Sequence, residues 1–534
     1  MISVICPLEN TAANNSTVIE AMAAIAGADY VLTDERNCSY YSQDIYTRAL
    51  PALAVVRPGS TADVARVAAA ATQRGHAVVT RGGGMSYTGG YVPAEADTIL
   101  IDMGRLNRVV ECNTEDMYVT MEAACTWKDL HAALRGTGCR TPYWGTLSGI
   151  KATVGGSLSQ NSIFWGSGRY GSAADSVLSL EVALADGTIL DTGSNAQKHG
   201  APFFRHYGPD LTGLFCCDAG ALGIKTKATL QLVPELAARR FASFDFDHYG
   251  PMTSAMSAIA REGLAMECFG FDPFLQKQRM QRDSLLRDVK ALAGVMKASN
   301  GVVAAVTEGV KTAVAGRGFM EDVAYSLHIV VEEASETLAD DRMDRIRQIC
   351  SSLQGREIEN SIPKILRANP FAPLNNVVGP QGERWAPVHA LIPHSRAIAV
   401  INGAEKIFSG QRELMEREGI GAGFLFATVS TNCFVVEPVF FWPDAMTEIH
   451  RDTVEPGVLK KLPGFDENPE ARRAVALIRQ ELLAFFRDMG AAHLQVGKAY
   501  LYKEGLKSPS WELVRQLKSI LDPDNRINPG ALGL

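Results

Sequence analysis

The sequence predicts an α+β protein of two domains, and three observations carry that expectation. A chain of 534 residues exceeds what one small core organises. Residues 48 to 235 alternate short β-branched runs with capped helical patterns. Past Pro234 the pattern turns to longer stretches of strand and helix, joined by irregular, Pro-rich connections at 363 to 393. Residues 1–47 then form an N-terminal helical segment, 48–235 a first domain, 236–489 a second, and 490–534 a closing segment.

Taken in order, "LAVVRP" reads as a strand, and "GSTADVARVAAAATQRG" as a helix capped by Ser60, supported by Asp63 and stopped at Gly75. "HAVVTRGGG" is the next strand, which sets its glycines at a carboxyl end, where α/β arrangements bind ligands. "TILIDM" and "MYVTMEAA" follow as strands. "TWKDLHAALRGTG" is a helix capped by Thr126, with Asp129 at the capping-box position. "SVLSLEVALADGTILDTG" is a hairpin turning at Asp186-Gly187, "PDLTGLF" a helix, and "LGIKTKATLQLVP" a strand that ends the domain. Near the C-terminus "NPEARRAVALIRQELLAFFRDMG" and "SPSWELVRQLKSILDP" are patterned helices.

Composition excludes several classes of function. With 46% hydrophobic and 21% charged residues the chain is an ordinary globular one, and a net charge of -7 without a basic tail argues against nucleic acid. No Lys or Arg precedes Arg36, so the start resembles neither a signal nor a transit peptide. The best apolar run, 301 to 316, is broken by Glu308 and Lys311, so no membrane span is expected and the protein reads as cytoplasmic. The ten cysteines form no C-x-x-C, and the ten histidines no H-E-x-x-H. Reduced, mostly buried thiols and no metal are the expectation.

Glycine clusters are the strongest signal. "VTRGGGMSYTGG", residues 79 to 90, removes Cβ atoms where backbone N–H groups gather towards an anion, but it completes neither G-x-G-x-x-G nor a P-loop. "GSGRYG" does match G-x-G-x-x-G through Gly166, Gly168 and Gly171. A strand follows it where a Rossmann site needs a helix, so this match is a decoy. Any one cluster alone reads equally as a tight turn.

Five segments nevertheless fall in one order: "RGGGMSYTGG", "TPYWGTLSGIKATVGGSLSQN", "WGSGRYG", "DLTGLFCCDAGALGIKTKATLQL" and "LDPDNRINPGALGL". Together they resemble the FAD-linked oxidases and dehydrogenases of the vanillyl alcohol oxidase / p-cresol methylhydroxylase superfamily. The resemblance implies a PCMH-type FAD-binding domain, an α+β cap that holds the substrate, and a C-terminal tail returning to the FAD site. It implies that Arg81, Gly82, Gly83, Gly84, Met85, Ser86, Gly89 and Gly90 wrap the FAD pyrophosphate, with Ser86 as a hydroxyl donor. Thr141, Pro142, Gly145 and Thr146 then run beside the flavin, and Gly155, Gly156, Ser157 and Asn161 approach ring and phosphates. Gly220, Gly223 and Ile224 supply the adenine-side or ring-edge strand, and Asn528 belongs to the returning tail.

The chain departs from the family pattern at four places. Met85 stands where many covalently flavinylated members carry His, and Lys151 where doubly linked ones carry Cys, so non-covalent FAD is expected unless a His or Tyr of the second domain makes the bond. The H-x-G-D-G-N-x-H type signature of the metal-dependent 2-hydroxy-acid branch is absent near "STNCFVVEP". Ser159 replaces the Asp that serves as acid/base in vanillyl alcohol oxidase.

The resemblance implies oxidation of an alcohol by hydride transfer to flavin N5, with a 2-hydroxy acid such as D-lactate or glycolate as the expected substrate. A phenolic or aryl alcohol is the alternative, and a non-catalytic flavin-binding module a third reading. Candidate catalytic residues are His389, His394 and Arg384 in "RWAPVHALIPHSRA", and His493, Lys498 and Tyr500 in "AHLQVGKAYLY". His389 is the expected base, with Lys498 or Arg384 holding an anionic group. If 384 to 396 is one strand, positions 387, 389 and 391 share a face. His450 and Glu437 are weaker candidates, and Arg396 and Tyr502 read as packing residues. The electron acceptor, whether oxygen, quinone or cytochrome, and the oligomeric state, homodimer included, stay open.

Overall fold

A computed structural model of the protein describes residues 7–280 and 323–534. The apolar stretch at 301 to 316 therefore lies outside the described residues. The architecture is the expected α+β one, with three main sheets.

In the first domain a four-stranded sheet runs in the order Val31–Leu32, Ala54–Val56, Ile99–Asp102, Val78–Arg81, with the last three strands parallel. The helix Thr61–Thr72 makes the crossover, with the Ser60 hydroxyl accepting from Asp63 N. Its small apolar side chains Val64, Ala65, Val67, Ala68 and Ala71 are buried in one core with Ala54, Val56, Ile99 and Ile101. The helix Pro7–Ala26 adds Val18 and Met22 to that core, and Val31–Leu32 pairs into the sheet. The first sheet thus starts earlier than residue 48, because the N-terminal segment supplies its edge strand.

A five-stranded antiparallel sheet follows in the order Val109–Asn113, Tyr118–Glu122, Ile224–Gln231, Val177–Ala183, Ile189–Asp191. Its last two strands are the expected hairpin, with Gly187 at φ 88° in the left-handed region that its turn requires.

The second domain is built on an eight-stranded antiparallel sheet from Ala238 to Trp442. Along Cys433–Trp442 the alternation is plain. Phe434, Val436, Phe440 and Trp442 pack against the helices Tyr249–Arg261, Ala397–Gly410 and Pro469–Asp488. Val435, Val439 and Phe441 point the other way, into a smaller apolar cluster shared with Ile163 and Phe164 of the first domain. Position 437 of this cleft-side row is a glutamate.

The stretch from 384 to 396 forms two strands and not one, Arg384–Pro387 and Ala390–Ile392, both paired with Cys433–Trp442. The register is unbroken across the gap, so His389 stands opposite Glu437. The ladder is interrupted because His389 N donates to the Tyr500 hydroxyl at 2.6 Å instead of joining it. The tail returns as expected: Val78 N donates to Arg526 O and Asn528 N to Val78 O, both at 2.7 Å, adding the tail beside the first sheet.

Among the described residues every cysteine is free, no helix is long and apolar enough to cross a membrane, and no cluster of three or more His, Cys, Asp or Glu has metal-binding form.

Candidate active site

A cleft of about 250 Å³ runs between the two domains. Its first-domain wall is made of segments that approach one another too closely for side chains. A Cβ on Gly83 would stand 1.9 Å from the Lys151 carbonyl oxygen, one on Gly82 2.4 Å from Thr153 Oγ1, one on Gly90 2.2 Å from Gln160 Nε2, and one on Gly155 2.7 Å from Ala123 Cβ. Glycine at these positions lets the loops pack into a single wall. The resulting surface is lined by Ser86, Thr153, Ser157 and Ser159 and by Lys225, whose ammonium is paired with the buried Asp218 at 2.7 Å, and among the described lining residues the first domain adds no carboxylate. Such a wall fits a long ligand with an anionic middle, as FAD has. FAD held there supplies a hydride acceptor.

Of the residues expected to hold the cofactor, Gly82, Gly83, Gly84, Met85, Ser86, Gly90, Thr146, Gly155, Gly156, Ser157, Gly220, Gly223 and Ile224 line the cleft. Others lie behind it, for visible reasons. Arg81 turns under the glycine loop into a cluster of tyrosines. Gly89 N is held from behind by Asp44 Oδ2 at 2.6 Å. Thr141 and Pro142 form the outer layer, where Gly166 packs on the Pro142 carbonyl, and Gly145 packs on Phe371 and Trp127. Asn161 ends the helix Val154–Gln160 at φ 54°. Asn528 is a clasp: its Nδ2 donates to Gly90 O and Ala219 O, both at 2.6 Å, tying two lining segments together. The decoy glycines Gly166, Gly168 and Gly171 surround a single helical turn at Ser167–Tyr170, which packs on Met266 of the second domain.

At the cap end the cleft is closed by His389, Glu437, Arg279, Trp385, Leu425 and Gln495, with Tyr87 from the glycine loop. His389 Nε2 lies 2.9 Å from the Tyr87 hydroxyl and 3.5 Å from Glu437 Oε2. Gln495 Nε2 donates to the Tyr87 oxygen at 2.7 Å, which leaves the Tyr87 O–H to donate to Nε2. Nδ1 then carries the ring proton and donates to Tyr500 at 3.1 Å. His493 supports this layer from behind, with Nδ1 2.7 Å from His389 O and its ring stacked on Tyr500. Burial, with His493 and Arg479 nearby, pushes the His389 imidazolium down to about 3, so the ring is neutral. Burial pushes the Glu437 carboxyl up to about 8, against the opposing pull of Arg279.

Of the six expected catalytic residues only His389 lines the cleft; Tyr500 and His493 back it, and the other three lie elsewhere. His394 packs in the cap against Ser257 Oγ and Thr431 O. The Arg384 guanidinium donates to Ile45 O and Tyr46 O and lies over Trp442, on the far side of the strand from His389. Lys498 donates to Val92 O at 2.6 Å beneath Gly89 and Gly530, where burial lowers its ammonium to about 8. Lys498 is held by a carbonyl, Arg384 by two carbonyls with Asp444 at 3.9 Å, and His394 by a hydroxyl and a carbonyl. His450 is likewise withdrawn, bonded to Thr447.

Sequence reasoning passed over Arg279, Tyr87, Gln495 and Trp385, and gave Glu437 little weight. Glu437 had a signal, being the one charge on the apolar row Val435, Val439, Phe441. Tyr87 had another, an aromatic inside a glycine loop. Arg279, on the polar helix Pro273–Met280, had none.

Comparison with known proteins agrees with this geometry. Residues 52–193 match the family model described as an FAD binding domain. The probable mitochondrial D-2-hydroxyglutarate dehydrogenase of Oryza sativa subsp. indica is 29% identical over 283 residues, 53% of this chain and 48% of its own. Glycolate oxidase subunit GlcD of Bacillus subtilis is 32% identical over 182 residues, 34% of this chain and 37% of its own. The probable mitochondrial D-lactate dehydrogenase of Danio rerio is 35% identical over 199 residues, 37% of this chain and 39% of its own. The chain thus spans about half or less of the length of these curated relatives. Among solved structures, 4-ethylphenol oxidase from Gulosibacter chungangensis superposes with a TM-score of 0.72 at 17% identity, over 98% of this chain and 97% of that one. p-Cresol methylhydroxylase gives 0.70 at 16%, over the same shares.

Fold and site together define an FAD-binding domain joined to an α+β cap. Residues 52–193 carry the FAD binding domain of the matching family model, and the fold as a whole is similar to that of p-cresol methylhydroxylase.

Proposed function

We propose that this protein is an FAD-dependent oxidoreductase that oxidises an alcohol carbon, with a 2-hydroxy acid of the D-lactate or glycolate kind as its substrate. The observation that supports this most is Arg279. Its guanidinium lines the cap end of the cleft, 4.9 Å from the Phe271 ring centre, with a buried Nε that has no hydrogen-bond partner among the described residues. The nearby Glu437 is held protonated at neutral pH and does not cancel its charge. A carboxylate next to Arg279 restores that balance. The names of the curated relatives point to the same substrate class.

In this reading the substrate hydroxyl takes the place of the Tyr87 O–H on His389 Nε2, which receives its proton; Tyr87 fixes the ring tautomer beforehand, and Glu437 steadies the imidazolium once it is itself ionised. Trp385, Ile163, Phe164 and Leu425 exclude water from the reacting carbon. These apolar walls also suit an aryl alcohol, which is the second reading.

Anaerobic reduction of the bound flavin by matched sets of 2-hydroxy acids and aryl alcohols separates the two. Arg279→Met is expected to raise the KM for the hydroxy acid by roughly 10²-fold. Reduction by aryl alcohols alone, unaffected by Arg279→Met, selects the second reading. A flavin that neither set reduces marks a binding module.

A further inference from the structure

Three of the four bonds at the reacting carbon of a 2-hydroxy acid are already assigned in the reading above. The carboxylate goes to Arg279, the hydroxyl to His389 Nε2, and the hydrogen is the hydride that departs. The fourth substituent is left to the remaining described lining of the cap end. That lining is apolar, with Ile163 and Phe164 from the first domain and Leu425 and Ala427 from the cap. Leu425 is the register partner of Glu437, and Ala427 that of Phe269, so both lie beside the acid–base pair. The Phe164 ring centre is 5.6 Å from that of Phe269.

Phe164 is held in place by the segment "GSGRYG". Its N–H donates to Ser167 Oγ and its carbonyl accepts from Ser167 N, both at 3.0 Å. It stands at φ 156°, a value that residues with side chains rarely adopt and that persists where surrounding bonds over-determine it. The turn is fixed to the cap in its own right, since Gly166 N donates to Glu267 Oε1 at 2.7 Å and Ser167 O accepts from Ser430 N at 2.9 Å. Trp165, fully buried, meets the Phe164 ring edge to face with 4.9 Å between centres. A ring flanked by Trp165 and Phe269 has little room to turn aside, so a bulky substituent meets it rather than displacing it. We infer that Phe164 is the specificity-determining residue for the fourth substituent, a fixed wall that admits hydrogen or methyl and rejects larger groups, and that Ser167 is the positioning residue that keeps it there. The inference rests on the hydroxy-acid reading and deepens it by limiting the size of the acid.

The test is anaerobic flavin reduction of the holoprotein by lactate and by 3-phenyllactate, with both enantiomers of each. The parent is expected to favour lactate. Phe164→Ala is expected to raise kcat/KM for 3-phenyllactate relative to lactate by roughly 10²-fold, chiefly through KM for the larger acid, and Phe164→Leu to raise it less. Ser167→Ala is expected to move the same ratio in the same direction by a smaller factor, while Ser167→Thr, which keeps the hydroxyl, stays close to the parent. A loss of stability alone would lower both substrates alike and leave the ratio unmoved. If Phe164→Ala does not fold, Phe164→Leu decides. An unchanged ratio in a folded, yellow Phe164 variant overturns the inference, and so does a parent that uses 3-phenyllactate as well as lactate. A parent flavin that no 2-hydroxy acid reduces overturns the underlying reading, and the inference with it, whereas the other two results leave that reading standing.

Discussion

His389 and Glu437 stand opposite each other on antiparallel neighbouring strands, with Nε2 3.5 Å from Oε2, at the cap end of the cleft. The pair is uncharged at neutral pH, because the same burial lowers the imidazolium and raises the carboxyl.

The pH dependence of stability follows from that pairing. Between the ordinary carboxyl value of 4.5 and about 8, the folded chain keeps a proton on Glu437 that the unfolded chain has lost, so this group's contribution declines as pH rises. His389 acts in the opposite sense only below its ordinary value of 6.5, where the unfolded chain takes up a proton the folded one refuses. The window from pH 6.5 to 8 therefore separates Glu437 from His389; burial raises Glu267 to about 8 and Asp272 to about 7 and gives them a decline of the same sign there, so the comparison of parent with variant isolates Glu437. Glu437→Gln is expected to flatten the decline there by up to about 1.4 kcal/mol per pH unit. Denaturant unfolding of parent and variant at pH 6.5 and 8 checks it, and parallel declines would count against the burial argument.

Gly83 is expected to be intolerant of substitution for a reason internal to the protein. A Cβ there meets the Lys151 carbonyl at 1.9 Å, so Gly83→Ala must push apart two wall segments at a cost of about 1–3 kcal/mol. Purified parent protein is expected to be yellow with one FAD per chain, and Gly83→Ala to be paler and less stable. Full occupancy and an unchanged Tm would show that the two loops separate freely.

The legible part of this molecule was local. Ser60 and Thr126 as caps, and Gly187 at a turn, are set by short-range hydrogen bonding and φ, and each stands where the sequence puts it. The cradle was legible as five segments in order, but not the reason for each glycine: Gly83 faces another loop as well as the cleft. The cap end was less legible because its chemistry depends on register. His389 and Glu437 lie far apart in sequence, and only strand pairing sets them side by side. Lys498 and Arg384 are misread for the converse reason, since a cation in a functional-looking stretch gives no sign that backbone carbonyls satisfy it.

The flavin is expected to be non-covalent. Met85 lines the cleft but offers no bond-forming nitrogen, phenol or thiolate, and the Lys151 ammonium is turned to Asp452 at 3.2 Å. Acid precipitation should leave the colour in the supernatant. Colour in the pellet would send peptide mapping first to His389, the one cap His, Cys or Tyr among the described lining residues.

His389→Ala is expected to slow anaerobic flavin reduction by roughly 10²–10⁴-fold while FAD stays bound. The expectation rests on orientation. Gln495 fixes the Tyr87 hydroxyl and Tyr87 fixes the tautomer, so Nε2 is an acceptor held by the Tyr87 O–H until a substrate hydroxyl takes that place. An imidazolium value near 3 makes His389 a weak base while Glu437 is neutral, and ionisation of Glu437 strengthens it. The reduction rate of the parent should therefore rise with pH towards 8, and Glu437→Gln should remove that rise. Loss of stability with an unaltered rate in folded, yellow His389→Ala would mean that the ring only packs between Tyr87 and Tyr500. The proton would then have to leave through Tyr87 or Glu437, the other titratable oxygens at this end of the cleft, and Tyr87→Phe or Glu437→Gln would carry the rate loss instead.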